Sequence, residues 1–302
     1  MQAEYVKYVD EEVNYEARRG VRYFLKCISK SKSVIFGATV IILFLLVAIF
    51  APVIAPNNPE AISLVERMQK PVFMGGTWKY PLGTDQLGRC ILSRIIYGAR
   101  ISMIVGCFSV FFSGLLGVVL GLLSGFFGGI VDDIIMRISE IIQAFPFILL
   151  AIAILSVLGS GIGNVIIVLA ITGWVQYCRV VRSEVISVRE KEYIEATKAM
   201  GLPVHKVIFG HVLPNVFSSV IVIASFSFAS SIISEASLSF LGLGVSPTVP
   251  TWGQMISKSR DYIFTNSYMM IFPSIAVVLV VLGINIFGDW LRDYLDPKTT
   301  NF

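Results

Sequence analysis

The sequence predicts an all-α integral membrane protein with six transmembrane helices, and three observations predict it. Of 302 residues, 55% are hydrophobic and 15% charged, with a mean hydropathy of +0.78. A soluble domain carries about 25% charge, so lipid is the solvent this composition suits. The charges are also clustered: no Asp, Glu, Lys or Arg occurs in 33–59, 101–131, 141–178, 212–234, 236–257 or 262–288. Finally, these runs are too long and too continuous for barrel strands, which alternate over about 10 residues.

A helix needs roughly 20 apolar residues to cross the hydrocarbon. That requirement places spans at about 34–55, 101–127, 134–158, 163–179, 214–241 and 268–288. The 141–178 window holds parts of two spans, because Gly159-Ser160-Gly161-Ile162-Gly163-Asn164 interrupts it. The 236–257 window contains Gly242, Gly244, Pro247, Pro250 and Gly253 and reads as an irregular loop rather than a span of its own. An even number of spans puts both termini on one side. Sixteen of the Lys and Arg residues then face the cytoplasm and eight face outward, in agreement with the positive-inside rule. The first span exceeds the 7–15 apolar residues of a signal peptide and ends in Pro52 and Pro56, so it reads as a retained helix.

Four segments follow: a basic cytosolic tail (1–33) suited to anionic lipid, the first span (34–56), an extracytoplasmic loop (57–100), and a five-helix core (101–302). Within the outer loop, Gln86 to Ala99 reads as a helix lying in the membrane interface or packing on the next span. Asp85 is its candidate N-cap, and Leu87, Ile91, Leu92, Ile95 and Ile96 form its apolar face. In the second span Gly117, Gly121, Gly125 and Gly129 recur at four-residue steps, leaving a groove for close helix approach. That groove suits either a dimer seam or packing within one subunit. Pro146 and Pro273 interrupt their spans and are candidate kinks.

Polar residues 189–215 lie between apolar spans and contain a Gly-broken pair of amphipathic segments. Glu190, Glu192 and Glu195 precede Lys198, as the helix dipole favours, and Gly201 followed by Pro203 ends the first helix. A second helix is expected from Lys206, with Pro214 marking re-entry to the membrane. Ile194, Ala196, Ala199 and Gly201 give the first helix a low-relief face able to enter a cleft on a partner.

Several functions are disfavoured by residue type. The net charge of +4 comes from the tail and loops and gives no nucleic-acid surface. Cys27, Cys90, Cys107 and Cys178 share no metal or redox spacing, and His211 has no partner residues for catalysis or metal binding. An ion-driven transporter needs ionisable groups at membrane depth, yet Glu235 is the one candidate within a span. It suits pairing with Ser231, Ser234 or an outer-loop base, or a role at an outer gate. No P-loop G-x-x-x-x-G-K-[ST] is present, so energy from ATP must come through a partner.

Glu195-Ala196-Thr197, Gly201 and His211-Val212-Leu213-Pro214 resemble the EAA loop of ABC-importer permeases, with Thr197 in place of the usual second Ala and His211 in place of Ile. Pro81-Leu82-Gly83-Thr84-Asp85-Gln86-Leu87-Gly88-Arg89, with Tyr97-Gly98-Ala99-Arg100 beyond it, resembles the outer-loop signature of C-type subunits of oligopeptide and dipeptide permeases. Cys90 departs from the Asp expected after Gly-Arg. The segment Glu235 to Gly244, Pro250-Thr251-Trp252-Gly253 and Asp289 to Pro297 resemble further parts of that family.

The resemblance implies a type I importer permease without its own ATPase site, cofactor or metal. Coupling residues would be Glu195, Ala196, Thr197, Gly201, His211, Leu213 and Pro214, and outer-loop signature residues Gly83, Thr84, Asp85, Gly88 and Arg89. Implied partners are a second, distinct permease, two cytosolic ATPases that bind ATP and Mg, and an extracytoplasmic binding protein. The cargo implied is an oligopeptide or dipeptide; nickel, a metallophore or glutathione is the alternative.

Overall fold

The computed structural model describes Ile28, residues 31–246 and residues 248–295, with Lys198 by its backbone alone. The basic tail before these residues, and the last residues of the C-terminal signature, lie outside them. Ten helices carry the described chain: α1 (Lys32–Ile49), α2 (Ala51–Ile54), α3 (Ile91–Phe127), α4 (Gly129–Ala144), α5 (Phe147–Leu158), α6 (Ile162–Arg189), α7 (Glu192–Ala199), α8 (Val204–Phe240), α9 (Trp252–Ser259) and α10 (Tyr268–Leu295).

Five of them, α1, α3, α6, α8 and α10, are long and apolar enough to cross a membrane. The sixth candidate span is α4 and α5, which qualify only together and as a bent pair. The helix expected over 134–158, with Pro146 as its candidate kink, is divided into α4 and α5 with a 92° bend between them. Pro146 lacks an N–H and disfavours a helical residue before it, so Phe145 is extended at φ −92°, ψ 131°. At 1.5 Å per residue the twelve residues of α5 reach only about 18 Å, short of the hydrocarbon thickness.

The separate interfacial helix over Gln86–Ala99 is absent. The chain turns through Asp85–Cys90, and α3 then runs unbroken through 37 residues. Its apolar side is satisfied by packing on α1, α9 and α10 rather than by lipid headgroups, and Arg94 is buried there. Asp85 caps a turn, not the helix: its Oδ1 accepts from the backbone N–H of Leu87 and Arg89, both at 2.9 Å. The fourth span runs on to Arg189, past the expected end at 179. The expected irregular loop over 236–257 contains the end of α8 and most of α9, which Thr251 caps by accepting from Gln254 N–H. Pro273 lies inside α10.

The glycine groove is filled within the chain. A Cβ on Gly117, Gly121 or Gly125 would stand 2.4, 2.7 or 2.8 Å from the carbonyl oxygens of Trp174, Cys178 and Arg182 respectively. Both sets advance by four residues, so α3 and α6 run in register at backbone distance. These three glycines therefore serve packing within this chain. Gly129 is apart from them, at φ +52° as the first residue of α4, with nothing within 4 Å of a Cβ. The remaining bundle places α10 against α8 and α1, with Gly37 and Gly283 making a second close approach.

Candidate functional site

The cytosolic segment folds as a short helix on a buried anchor. Ile194 is fully buried among Val188, Val207, Ile208 and Val212, where the ends of α6 and α8 meet. Burying such a side chain contributes about 1.5–3 kcal/mol, and it fixes which side of α7 faces outward. Glu195 and Ala196 are exposed, whereas Thr197 is buried and donates its hydroxyl to Ile194 O at 2.7 Å. Gly201 ends the helix at φ +77°, a left-handed conformation open to glycine, with free space around a Cβ. Tyr193, Met200, Val204 and Phe209 are exposed beside it, so the cytosolic end offers apolar surface flanked by charge.

The second cytosolic helix begins at Val204, not Lys206, and continues into the membrane without a break. A wide π turn over Ile208–Val212 takes up the irregularity ahead of Pro214. Pro214 thus sits inside a continuous helix rather than at its start. Asn215 Nδ2 donates to His211 O at 2.6 Å, satisfying a carbonyl beside the disturbed turn. His211 and Leu213 are half-buried and Pro214 is exposed. The structure places Glu195, Ala196 and Thr197 on α7, Gly201 in the turn after it, and His211, Leu213 and Pro214 on the foot of α8.

The outer-loop residues form a knot that binds residues 63–70 to the start of α3. Thr84 Oγ1 donates to Glu66 O and accepts from Gln69 N–H. Arg89 Nε donates to Asp85 Oδ2 at 2.7 Å, and the two nearly buried side chains satisfy each other. Gly83 and Gly88 have φ +81° and +75°, and a Cβ would strike Gln69 O at 2.4 Å and Ser63 O at 1.9 Å. Cys90 is buried and its backbone bridges to Thr84. Nearby, Glu66 accepts from Lys79 Nζ and Tyr80 Oη, and these bonds hold its carboxyl below the usual carboxylate range.

Glu235 is fully buried in α8. Its expected partners were Ser231, Ser234 or an outer-loop base. Instead Ser239, one turn onward, donates to Oε1 at 2.7 Å, and the Thr251 hydroxyl lies close to the carboxyl group. The carboxyl therefore sits where α8 meets the start of α9.

Two features escaped the sequence reading. Arg182 grips Asp132 with two bonds, Nε to Oδ1 and Nη2 to Oδ2, each 2.5 Å, and Ser124 donates to the same carboxylate. This ties α4 to α6 beside the cytosolic segment. The second is a cavity of about 330 Å³ bounded by α3, the α4–α5 break, α6 and α8. Ser113, Gln143, Thr172, Gln176 and four serines of α8 line it together with apolar side chains, and no charged residue does. The serines at 227, 230, 231 and 234 follow helical spacing, a signal that was available in the sequence. Pro146 marked the break, but not that it brings Gln143 to them.

Comparison with known proteins agrees with this arrangement. Residues 117–301 match the family described as binding-protein-dependent transport system inner membrane component. Residues 21–71 match the N-terminal transmembrane domain of oligopeptide transport permease C. The chain is 42% identical to the dipeptide transport system permease protein DppC of Alkalihalophilus pseudofirmus, over 95% of this chain and 93% of that one. It is 39% identical to the di/tripeptide transport system permease protein DppC of Pseudomonas aeruginosa, covering 93% of each. It is 42% identical to the glutathione transport system permease protein GsiD of Escherichia coli O157:H7, over 87% of this chain and 85% of that protein. Among solved structures, a chain of the inward-facing MetNI methionine ABC transporter superposes with a TM-score of 0.57 at 20% identity. It covers 68% of this chain and 98% of that one, and establishes the fold as that of an ABC-importer permease. The chain belongs to the family of binding-protein-dependent transport system inner membrane components, as a multi-pass permease subunit, not the ATPase, of an ABC transporter in the bacterial inner membrane.

Proposed function

We propose that this chain is one of two distinct permeases in an importer of dipeptides and other short peptides. The observation that carries the cargo reading is identity of 39–42% to two DppC permeases over nearly the whole chain. Two cytosolic ATPases, which bind the ATP and Mg, would receive α7 in a cleft. An extracytoplasmic binding protein would deliver cargo to the outer face. The exposed edge of Glu195 and Ala196, with Gly201 beyond it, is the contact we assign to the ATPase. Thr197 and Ile194 set its orientation, and His211, Leu213 and Pro214 carry its movement into α8.

The mechanism is alternating access. Closure of the ATPases on ATP would draw the two permeases' coupling helices together, and α6 and α8, which flank α7 in the chain, would rock. Their outer ends would separate to admit cargo. Glu235, buried at the α8–α9 corner beside Ser239 and Thr251, would hold that corner as α8 moves. We assign it to the outer gate as a positioning residue. Glutathione, itself a modified tripeptide, is the second reading, favoured by the 42% identity to GsiD.

The test is reconstitution of the whole transporter in lipid vesicles with its binding protein. The expected result is ATP-dependent uptake of a labelled dipeptide above that of glutathione or nickel. Uptake of glutathione or nickel with no peptide uptake would overturn the cargo reading. ATP-independent uptake driven by an ion gradient would overturn the mechanism.

A further inference from the structure

We propose that the uncharged cavity among α3, the α4–α5 break, α6 and α8 is the cargo-contacting wall that this chain contributes. It would hold the amide backbone of a short peptide through Ser113, Gln143, Thr172, Gln176, Ser230 and Ser234 while leaving the charge of the peptide's side chains unread. This rests on the peptide reading above.

Four observations support it. The cavity, about 330 Å³, lies within the membrane-spanning bundle and falls in the range of small-molecule sites, about 300–1,000 Å³. Its wall includes the helix break, since Phe145 and Phe147 on either side of Pro146 both line it. Non-helical backbone at membrane depth is tolerated where protein buries it or where it lines a wet cavity, because lipid cannot satisfy the freed N–H and C=O groups. Here α4 and α5 part at the cavity itself, so the break belongs to a polar path.

The third observation lies behind the wall. Tyr177, 1% exposed, has no hydrogen bond of acceptable geometry to its Oη, although the hydroxyls of Ser113 and Ser227 lie beside it. A buried phenol normally has a partner, and the hydroxyls available to it are those of these two serines, which also line the cavity. Last, the lining groups are donors and acceptors at once. Ser113 and Thr172 rest their hydroxyls on Ser109 O and Val168 O, at 2.6 and 2.9 Å, and keep oxygen lone pairs for a ligand. Gln143 and Gln176 each present a carbonyl and an NH₂. A peptide unit offers one N–H and one C=O, which this set matches without a formal charge. With no Asp, Glu, Lys, Arg or His in the lining, an acidic and a basic side chain meet the same wall.

The experiment uses the assembled transporter in vesicles and compares Ala-Lys with Ala-Asp at matched binding-protein occupancy. The wild type is expected to import both within about threefold, since the lining holds no unit charge to discriminate them. Ser230→Asp adds a charge at an exposed lining position. It is expected to shift the ratio toward Ala-Lys by about tenfold, as a unit charge a few ångströms away in a partly wet site would. Transport that persists with an unchanged ratio overturns the proposal.

Should the Asp variant fail to assemble, Ser230→Cys is used in a Cys107→Ala background and labelled with charged methanethiosulfonates. The dipeptide is expected to slow labelling severalfold during turnover, and labelling that ignores it overturns the proposal. If wild-type vesicles import no peptide, the cargo reading fails first. Protection of the same cysteine by glutathione or nickel would then keep the wall as the cargo path but overturn its match to a peptide backbone.

Discussion

Asp132 and Arg182 are joined by two hydrogen bonds of 2.5 Å each, fifty residues apart in the chain, and so fasten the foot of α4 to α6. The pair matters because α6 leads directly into α7, while α4 leads to the break at Pro146 and the polar cavity. In the proposed mechanism, a displacement of α6 at the ATPase side would thereby reach the cavity wall. Bidentate geometry makes the link directional as well as strong. Both side chains are only partly buried, at 32% and 17% exposure, so the pair acts more through its fixed geometry than through burial of charge.

Asp132→Asn is therefore expected to lower uptake by about tenfold or more through loss of a charge-assisted contact, with the protein still inserted. The exchange Asp132→Arg with Arg182→Asp restores part of it. Uptake measured in vesicles checks both, and a swap no better than either single change would remove the pair from the coupling route.

Gly121 tests the internal seam. A Cβ there would approach Cys178 O within 2.7 Å, a backbone atom that cannot step aside. Gly121→Leu is expected to separate α3 from α6 and to cost about 1–3 kcal/mol or more by overpacking. A Tm fall of several degrees in detergent, with loss of monodisperse protein, is the readout. An unchanged Tm with loss of association between permeases would return this glycine to a subunit interface.

The outer loop should respond to acid. Glu66 has a folded pKa below its ordinary 4.5, through its bonds to Lys79 and Tyr80. Its contribution is thus fully present above pH 4.5 and is lost as pH falls through the lower folded value. Hydrogen exchange of residues 63–84 is expected to stay slow at pH 5–7 and to quicken below about 4.5, beyond the intrinsic pH effect, as the carboxylate takes up its proton. Glu66→Gln should abolish that step. The same step in the variant would assign it to another group.

Gly201→Asp tests the coupling helix without disturbing its core. The position has φ +77° and open space, so the strain of a side chain is modest, about 1 kcal/mol. Insertion and complex formation are expected to survive while transport falls at least about tenfold relative to ATP hydrolysis, the loss expected of a misdirected contact. Full transport by this variant would contradict the assignment.

The spans were legible because lipid imposes a simple rule on composition, and α7 was legible because Gly201 and Pro203 stop a helix by local chemistry. What was illegible depends on distant partners. The 114–125 glycines announce a groove, yet only the carbonyls at Trp174, Cys178 and Arg182 decide that it is filled from within. Pro146 announces a kink, but its 92° size is not written locally: α4 packs on α3 while α5 packs on α6. Residues 86–99 have an amphipathic pattern that fits an interface equally well as the buried start of α3. The family motif marked residues that fold next to one another at the ends of α7 and α8 but gave no hint of the Asp132–Arg182 tie, which joins residues outside it.

The most direct test of the central claim is to place a photoreactive side chain at Ala196, exposed on α7, and identify by mass spectrometry what it captures in native membranes. The account predicts an adduct with a P-loop ATPase, reduced when Gly201 is changed to Asp. Adducts confined to lipid or to this chain's own loops, with transport intact, would contradict it.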